Sequence, residues 1–163
     1  MRRVVFLDID GVLNSDLWNE NHQREISDGT LIDESKVKML CKLIKDTDAQ
    51  IILHSGWKYW FDSDLKPLRR EAENLRILVE KEGLVISGMT PDLATAEIKK
   101  SKKFSLVKAG EILAWLKQHN DVDSWVVLDD LDLYSAEIEM HQVKTDRRIG
   151  LTIEDVEKAK RML

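Results

Sequence analysis

Residues 3–11 read Arg3-Val4-Val5-Phe6-Leu7-Asp8-Ile9-Asp10-Gly11, and the fold turns on how they are read. Val4 to Leu7 is a short, unbroken apolar run with two β-branched residues. Such a run suits a strand covered on both faces, because a half-exposed strand would alternate apolar with polar. It stops at Asp8. Asp8 and Asp10 are two apart, so along an extended segment both side chains point the same way. Gly11 then permits a turn that a Cβ would hinder.

The same punctuation recurs downstream. Gln50 to His54 reads as a second buried strand ending at Ser55-Gly56, and Trp125 to Leu128 as another ending at Asp129-Asp130. Leu84 to Ile86 and Gln142 to Lys144 add two shorter strands. Between them Val37, Leu40, Cys41 and Ile44 recur at the spacing of an amphipathic helix, with Asp33 as its N-cap. Leu68, Ala72, Leu75 and Val79 mark a second helix that Gly83 closes. Ala109, Ile112, Leu113 and Leu116 give a third. Thr152, with a carboxylate three residues on, opens a last helix through Ile153, Val156 and Lys160. Asn14 to Thr30 is polar and shows little periodicity. Compact strands alternating with helices predict βαβ units around a parallel sheet. Right-handed crossovers then place helices on both faces, a three-layer α/β/α architecture.

Composition narrows the class. The 163 residues suit a single domain over 1–163. Hydrophobic residues at 43% with charged residues at 34% exclude disordered, collagen-like and coiled-coil chains. The single cysteine, Cys41, leaves no intramolecular disulfide and suits a reducing compartment. No apolar run approaches the roughly 20 residues of a membrane span. Arg2 and Arg3 are followed by four apolar residues before Asp8, too few for a secretory core of about 7–15. A cytoplasmic protein with no membrane partner is expected. The net charge of −5 excludes a uniformly basic surface that coats nucleic acid, while leaving room for a local basic patch.

In parallel sheets ligands bind beyond the carboxyl ends of the strands, which directs attention to Asp8, Asp10, Ser55, Asp129 and Asp130. Adjacent carboxylates repel, and one is driven toward protonation unless a cation lies between them. A hard divalent ion such as Mg²⁺ satisfies that set and retains water ligands for a phosphate. A lone aspartate in such a place is as readily a helix cap or turn residue; four of them at strand ends are not. The calcium loop that also opens on alternating aspartates needs Gly at its sixth position and Glu at its twelfth. Counted from Asp8, the glycine falls at position four and Asn19 at twelve, so that reading fails.

These residues resemble the haloacid dehalogenase (HAD) superfamily. Phe6-Leu7-Asp8-Ile9-Asp10-Gly11-Val12-Leu13-Asn14 is similar to its first motif, Leu53-His54-Ser55-Gly56 to its second, and Val126-Val127-Leu128-Asp129-Asp130 to its fourth. Lys108 best matches the lysine of the third. More narrowly, Ile9 to Asn14, Ser55-Gly56-Trp57-Lys58 and Gly150-Leu151-Thr152 resemble the HAD domains of modular RNA repair proteins. The resemblance implies a Rossmann-like α/β sheet and a Mg²⁺-dependent phosphatase working through an aspartyl-phosphate. Asp8 would be the nucleophile, and Asp10 would protonate the leaving oxygen and then deprotonate water. Ser55 would bind the phosphoryl group, with Gly56 and Lys58 beside it as substrate contacts, and Lys108 would offset the developing charge. Asp8, Asp10 (through its backbone carbonyl), Asp129 and Asp130 would hold Mg²⁺.

Some of these positions admit plainer readings. Lys58 reads first as a surface lysine, with substrate contact as the other reading because it follows Ser55-Gly56-Trp57. Lys99, Lys100, Lys102 and Lys103 compete with Lys108 for the third motif but form a solvated loop; Lys108 is preferred because it opens a helical stripe. His54 faces away from Ser55 along its strand and is read as structural. Trp57, Trp60, Trp115 and Trp125 read as packing, with stacking of Trp57 or Trp60 on a base as the alternative. Neither Asp10–Asp33 nor Ser55–Lys108 leaves room for a substantial cap domain, so an open site is expected. An open site admits an RNA or DNA end or a protein. Small nucleotide or sugar phosphates are the alternative substrates, and a non-catalytic Mg²⁺- and phosphate-binding regulatory module is the alternative function.

Overall fold

In the computed structural model, which describes residues 1–163, strand β1 (Arg3–Leu7) lies at the centre of a five-stranded sheet. β2 (Gln50–Leu53) and then β3 (Ile86–Met89) flank it on one side; β4 (Ser124–Asp129) and then β5 (Gln142–Lys144) flank it on the other. Every pairing is parallel. The helices in chain order are α1 (Asp16–Asn21), α2 (Gln23–Ser27), α3 (Glu34–Thr47), α4 (Arg70–Lys81), α5 (Ala96–Ser101), α6 (Ser105–Gln118), α7 (Ala136–Glu139) and α8 (Ile153–Met162). A 3₁₀ turn covers Gly56–Trp60.

Alternation along β1 divides the interior in two. Val5 and Leu7 face a core shared with Val37 and Leu40 of α3, Leu75 of α4 and Val156 of α8. Val4 and Phe6 face the opposite way, against Ile112 and Trp115 of α6 and Ile138 of α7. Both sides of the strand are dry, which is why its sequence is continuously apolar. The architecture is therefore the α/β/α Rossmann-like sandwich expected from the alternating pattern.

The helix starts also follow sequence chemistry. Asp33 caps α3 by accepting from the Ser35 amide at 3.0 Å. Thr152 and Asp155 form a reciprocal capping box on α8. Two local expectations change, and one stretch left without assignment gains structure. The third strand runs from Ile86 to Met89 rather than Leu84 to Ile86, because Leu84 is buried ahead of the strand as a core anchor. The stretch Asn14–Thr30 contains α1 and α2, which bury no residue and so carry no apolar stripe. Lys99 and Lys100 belong to α5, opened by Thr95 accepting from the Ile98 amide at 3.2 Å, rather than to a loop.

The chain moves outward through β2 and β3, then returns across β1 to β4, so the order reverses between β1 and β4. At that reversal the loops diverge and open a crevice at the carboxyl ends. Leu7 is in register with both Leu53 and Leu128, which levels Asp8, His54 and Asp129 along the rim. No large cap covers the crevice: α1 and α2 have only six and five residues. No helix is long and apolar enough to cross a membrane.

Candidate active site

Asp8 leaves β1 and Asp129 ends β4, side by side at the reversal, with Asp130 following. One carboxylate oxygen from each of Asp8, Asp129 and Asp130 lies within 4.8 Å of the others. Asp8 and Asp129 are 4% and 0% exposed. The cation among them is Lys108 of α6, whose Nζ is 2.8 Å from Asp129 Oδ2 and 3.2 Å from Asp8 Oδ1. None of its competitors in the lysine run pairs with these carboxylates, and Lys99 pairs with Asp92 instead. Lys108 sits in the first turn of α6, one position before the stripe that marked the helix.

The cluster is electrostatically unbalanced. Burial raises the Asp8 carboxyl above its ordinary value and the neighbouring Asp129 adds to the rise, against the pull of Lys108. Burial, with the charges of Asp8 and Asp129, pushes Asp130 up to about 7. Burial alone would lower Lys108, yet the carboxylates of Asp8 and Asp129 hold it above the ordinary lysine value. Three clustered acids thus have one ammonium among them, and it pairs with only Asp8 and Asp129. The oxygen-only donor set and its uncompensated charge fit a hard divalent cation such as Mg²⁺. Asp129 already accepts from Lys108 and from the Leu131 amide at 2.9 Å, whereas Asp130 accepts from no other residue. Asp130 is consequently the acid with oxygens to spare for an ion.

Asp10 stands apart from this gathering. Its carboxylate accepts from the Trp57 indole N–H at 3.1 Å and the Asn14 side-chain amide at 2.9 Å. These bonds hold its side chain outside the three-acid group, and the expectation for Asp10 as a metal ligand concerns its backbone carbonyl. Asn14 also accepts from the Gly11 amide at 3.0 Å, and Thr145 donates to the Gly11 carbonyl at 2.8 Å. Gly11 has φ +81°, and a Cβ there would fall 2.5 Å from the Asp130 carboxyl carbon. Only glycine lets this turn pass so close to Asp130. Sequence reading assigns Asn14 and Thr145 no part, and reads Trp57 as packing or as a platform for a base rather than as a partner of Asp10. Their signal lies in partners far along the chain, which spacing does not reveal.

Ser55 ends β2 at the crevice, 2% exposed, and its hydroxyl accepts from the Trp57 amide at 3.1 Å to cap the 3₁₀ turn. Gly56 lines the cavity beside it. Lys58 is a correction. It is neither a surface lysine nor a cavity residue: its Nζ lies 2.6 Å from Glu111 of α6 and 3.0 Å from the Pro91 carbonyl. Burial lowers its pKa, opposed by Glu111. His54 is buried at 1%, with Nε2 3.5 Å from both the Leu128 carbonyl and Asp129. Burial pushes its imidazole down to about 3, so it stays neutral.

The cavity over these residues measures about 480 Å³. Its buried lining is Asp8, Ser55 and Lys108, with Asp10 and Asp130 also lining it; the half-buried rings of Tyr59 and Phe104 and the exposed Lys102 and Arg147 are among the other side chains that line it. An acidic floor with one serine and one lysine suits a phosphoryl group neutralised by a metal ion.

No curated protein and no solved structure matches the chain. The model of one family does match, that of the HAD domain in Swiss Army Knife RNA repair proteins, over residues 4–156. That span runs from within β1 into α8 and takes in every residue of the carboxylate cluster, so the chain belongs to this family of HAD domains.

Proposed function

We propose that the protein is a Mg²⁺-dependent phosphomonoesterase that works through an aspartyl-phosphate at Asp8 and acts on the phosphorylated end of RNA. The observation that carries this reading is the convergence of Asp8, Asp129 and Asp130 at the β1–β4 reversal, with Lys108 paired to the first two. Family membership supports the chemistry, and the family's description supports RNA as the substrate.

A carboxylate oxygen of Asp8 attacks phosphorus and the ester P–O bond breaks. Asp10, steadied by Trp57 and Asn14, delivers its proton to the leaving oxygen. Water then attacks the acyl phosphate and gives a proton back to Asp10. The P–O bond to Asp8 breaks, releasing phosphate and restoring the carboxylate. Division into two displacements lowers each barrier. Ser55 donates to a phosphoryl oxygen, and Lys108 offsets the charge that accumulates on it. Mg²⁺ held by Asp8, Asp130, the Asp10 carbonyl and Asp129 would screen the repulsion between nucleophile and phosphate.

The test is hydrolysis of p-nitrophenyl phosphate and of phosphate-terminated RNA, with Mg²⁺ and with chelator. Asp8→Asn is expected to lower kcat by about 10³-fold or more, as removal of a nucleophile does elsewhere. Turnover that survives this substitution removes Asp8 from the role. A preference for nucleotide or sugar phosphates over RNA ends would reassign the substrate and leave the chemistry standing.

A further inference from the structure

The outer part of the cavity carries side chains that phosphoryl transfer does not use. Tyr59 and Phe104 line it with ring centroids 5.4 Å apart and planes tilted by 37°. Neither ring joins either apolar core, and both remain partly exposed. Phe104 lies over Gly56, where a Cβ would come within 3.2 Å of the ring, so glycine lets the ring settle on the backbone of the 3₁₀ turn. Tyr59 is fixed from behind, its hydroxyl donating to Asp92 at 2.7 Å. The two tryptophans are less suited to stacking. Trp57 is 3% exposed, and the Arg69 guanidinium covers the Trp60 ring at 4.1 Å.

Cations stand beside these rings although the whole chain carries −5. Lys99 is paired with Asp92 at 2.9 Å. Lys102, at the C-terminal end of α5, forms no ion pair, and Arg147 approaches Asp16 only to 3.6 Å with 65% of its side chain exposed. Lys102 and Arg147 come from the segments that follow the two edge strands, β3 and β5. The floor is acidic and the outer part is basic and aromatic. A phosphodiester is repelled by the first and held by the second, while an aromatic face accepts any base.

We propose that this outer part binds the terminal nucleoside of a single-stranded polynucleotide, with Phe104 stacking on its base and Lys102 and Arg147 holding the next phosphodiester. The proposal rests on the phosphatase reading for the position of the end phosphate.

The experiment compares a phosphate-terminated oligoribonucleotide with acetyl phosphate, which is too small to leave the floor. Phe104→Ala is expected to raise KM for the oligonucleotide by roughly tenfold or more, the loss of one stacked base, and to leave acetyl phosphate turnover unchanged. Lys102→Ala with Arg147→Ala should flatten the dependence of log KM on log salt by about 0.7 for each phosphate no longer neutralised. Equal losses on both substrates would mean that the rings only shape the fold, and an unchanged oligonucleotide KM would remove the subsite. An equally large Phe104→Ala effect on a phosphoserine peptide would assign the surface to protein instead. If the native chain hydrolyses neither substrate, the phosphatase reading fails by itself. Fluorescence anisotropy of the labelled oligonucleotide on native, Phe104→Ala and doubly substituted protein then still reads the subsite: weaker binding by the variants upholds it, and equal binding overturns it.

Discussion

Asp130 meets two buried carboxylates at close range, and its pKa is pushed from 3.8 up to about 7, first by burial and then by those charges. In the unfolded chain it loses its proton near the ordinary value. At this position the metal-free folded protein therefore holds a proton that the unfolded chain has lost across the window between 3.8 and about 7. What Asp130 contributes to stability is fully present below the lower figure and is lost as pH rises through the upper one, while His54, held neutral down to about 3, contributes in the opposite sense up to its ordinary value of 6.5. In chelator, the urea midpoint of the native protein relative to Asp130→Asn should fall from about pH 4.5 to 8, a difference in which the opposite contribution of His54 cancels. Saturating Mg²⁺ should raise the midpoint most at the alkaline end, where the repelling carboxylates are ionised. A midpoint that climbs with pH in chelator, equally in native and Asp130→Asn protein, would refute this assignment of charge.

At the scale of elements, the buried pair Lys58–Glu111 joins the 3₁₀ turn after β2 to α6, with side chains 6% and 2% exposed. Glu111 also accepts from the Leu93 amide at 2.9 Å, which ties in the segment after β3. Glu111→Ala leaves an ammonium buried without its partner and should destabilise by about 3–5 kcal/mol. Lys58→Met with Glu111→Leu should recover most of that loss in urea unfolding, since no charge is then stranded. A single substitution costing no more than a surface change would show the pair to be solvated. This pair also explains why Lys58 passes for a surface lysine in the sequence: its partner is 53 residues away, so nothing local distinguishes it. The strands β1, β2 and β4 are legible because burial on both faces writes itself as an unbroken apolar run. The half-exposed edge strand β3, Ile-Ser-Gly-Met, leaves no such mark. The gathering of Asp8, Asp129 and Asp130 follows from strand ends and parallel topology. The bonds of Asp10 to Trp57 and Asn14 do not, because hydrogen-bond partners are chosen by three-dimensional proximity.

The whole molecule sets what approaches the site. The crevice opens at the sheet's carboxyl edge, and the α1–α2 segment inserted after β1 has helices of only six and five residues, so the size of the leaving group meets no large cap. Beyond the rim the chain is acidic, with 30 Asp and Glu against 25 Lys and Arg. A polynucleotide thus gains attraction from the few cations beside the cavity and none from an extended basic track. Two consequences follow for strands lengthened from a nucleoside monophosphate to about ten nucleotides. The value of kcat/KM should not fall with length, because nothing must close over the strand. KM should drop over the first added nucleotides and then level off, because the acidic surface offers nothing further to hold the strand. Steady-state kinetics on a length series separates the alternatives. A falling kcat/KM would mean that another element or a second copy covers the mouth, and a KM that keeps dropping would mean that a basic path continues beyond Lys102 and Arg147.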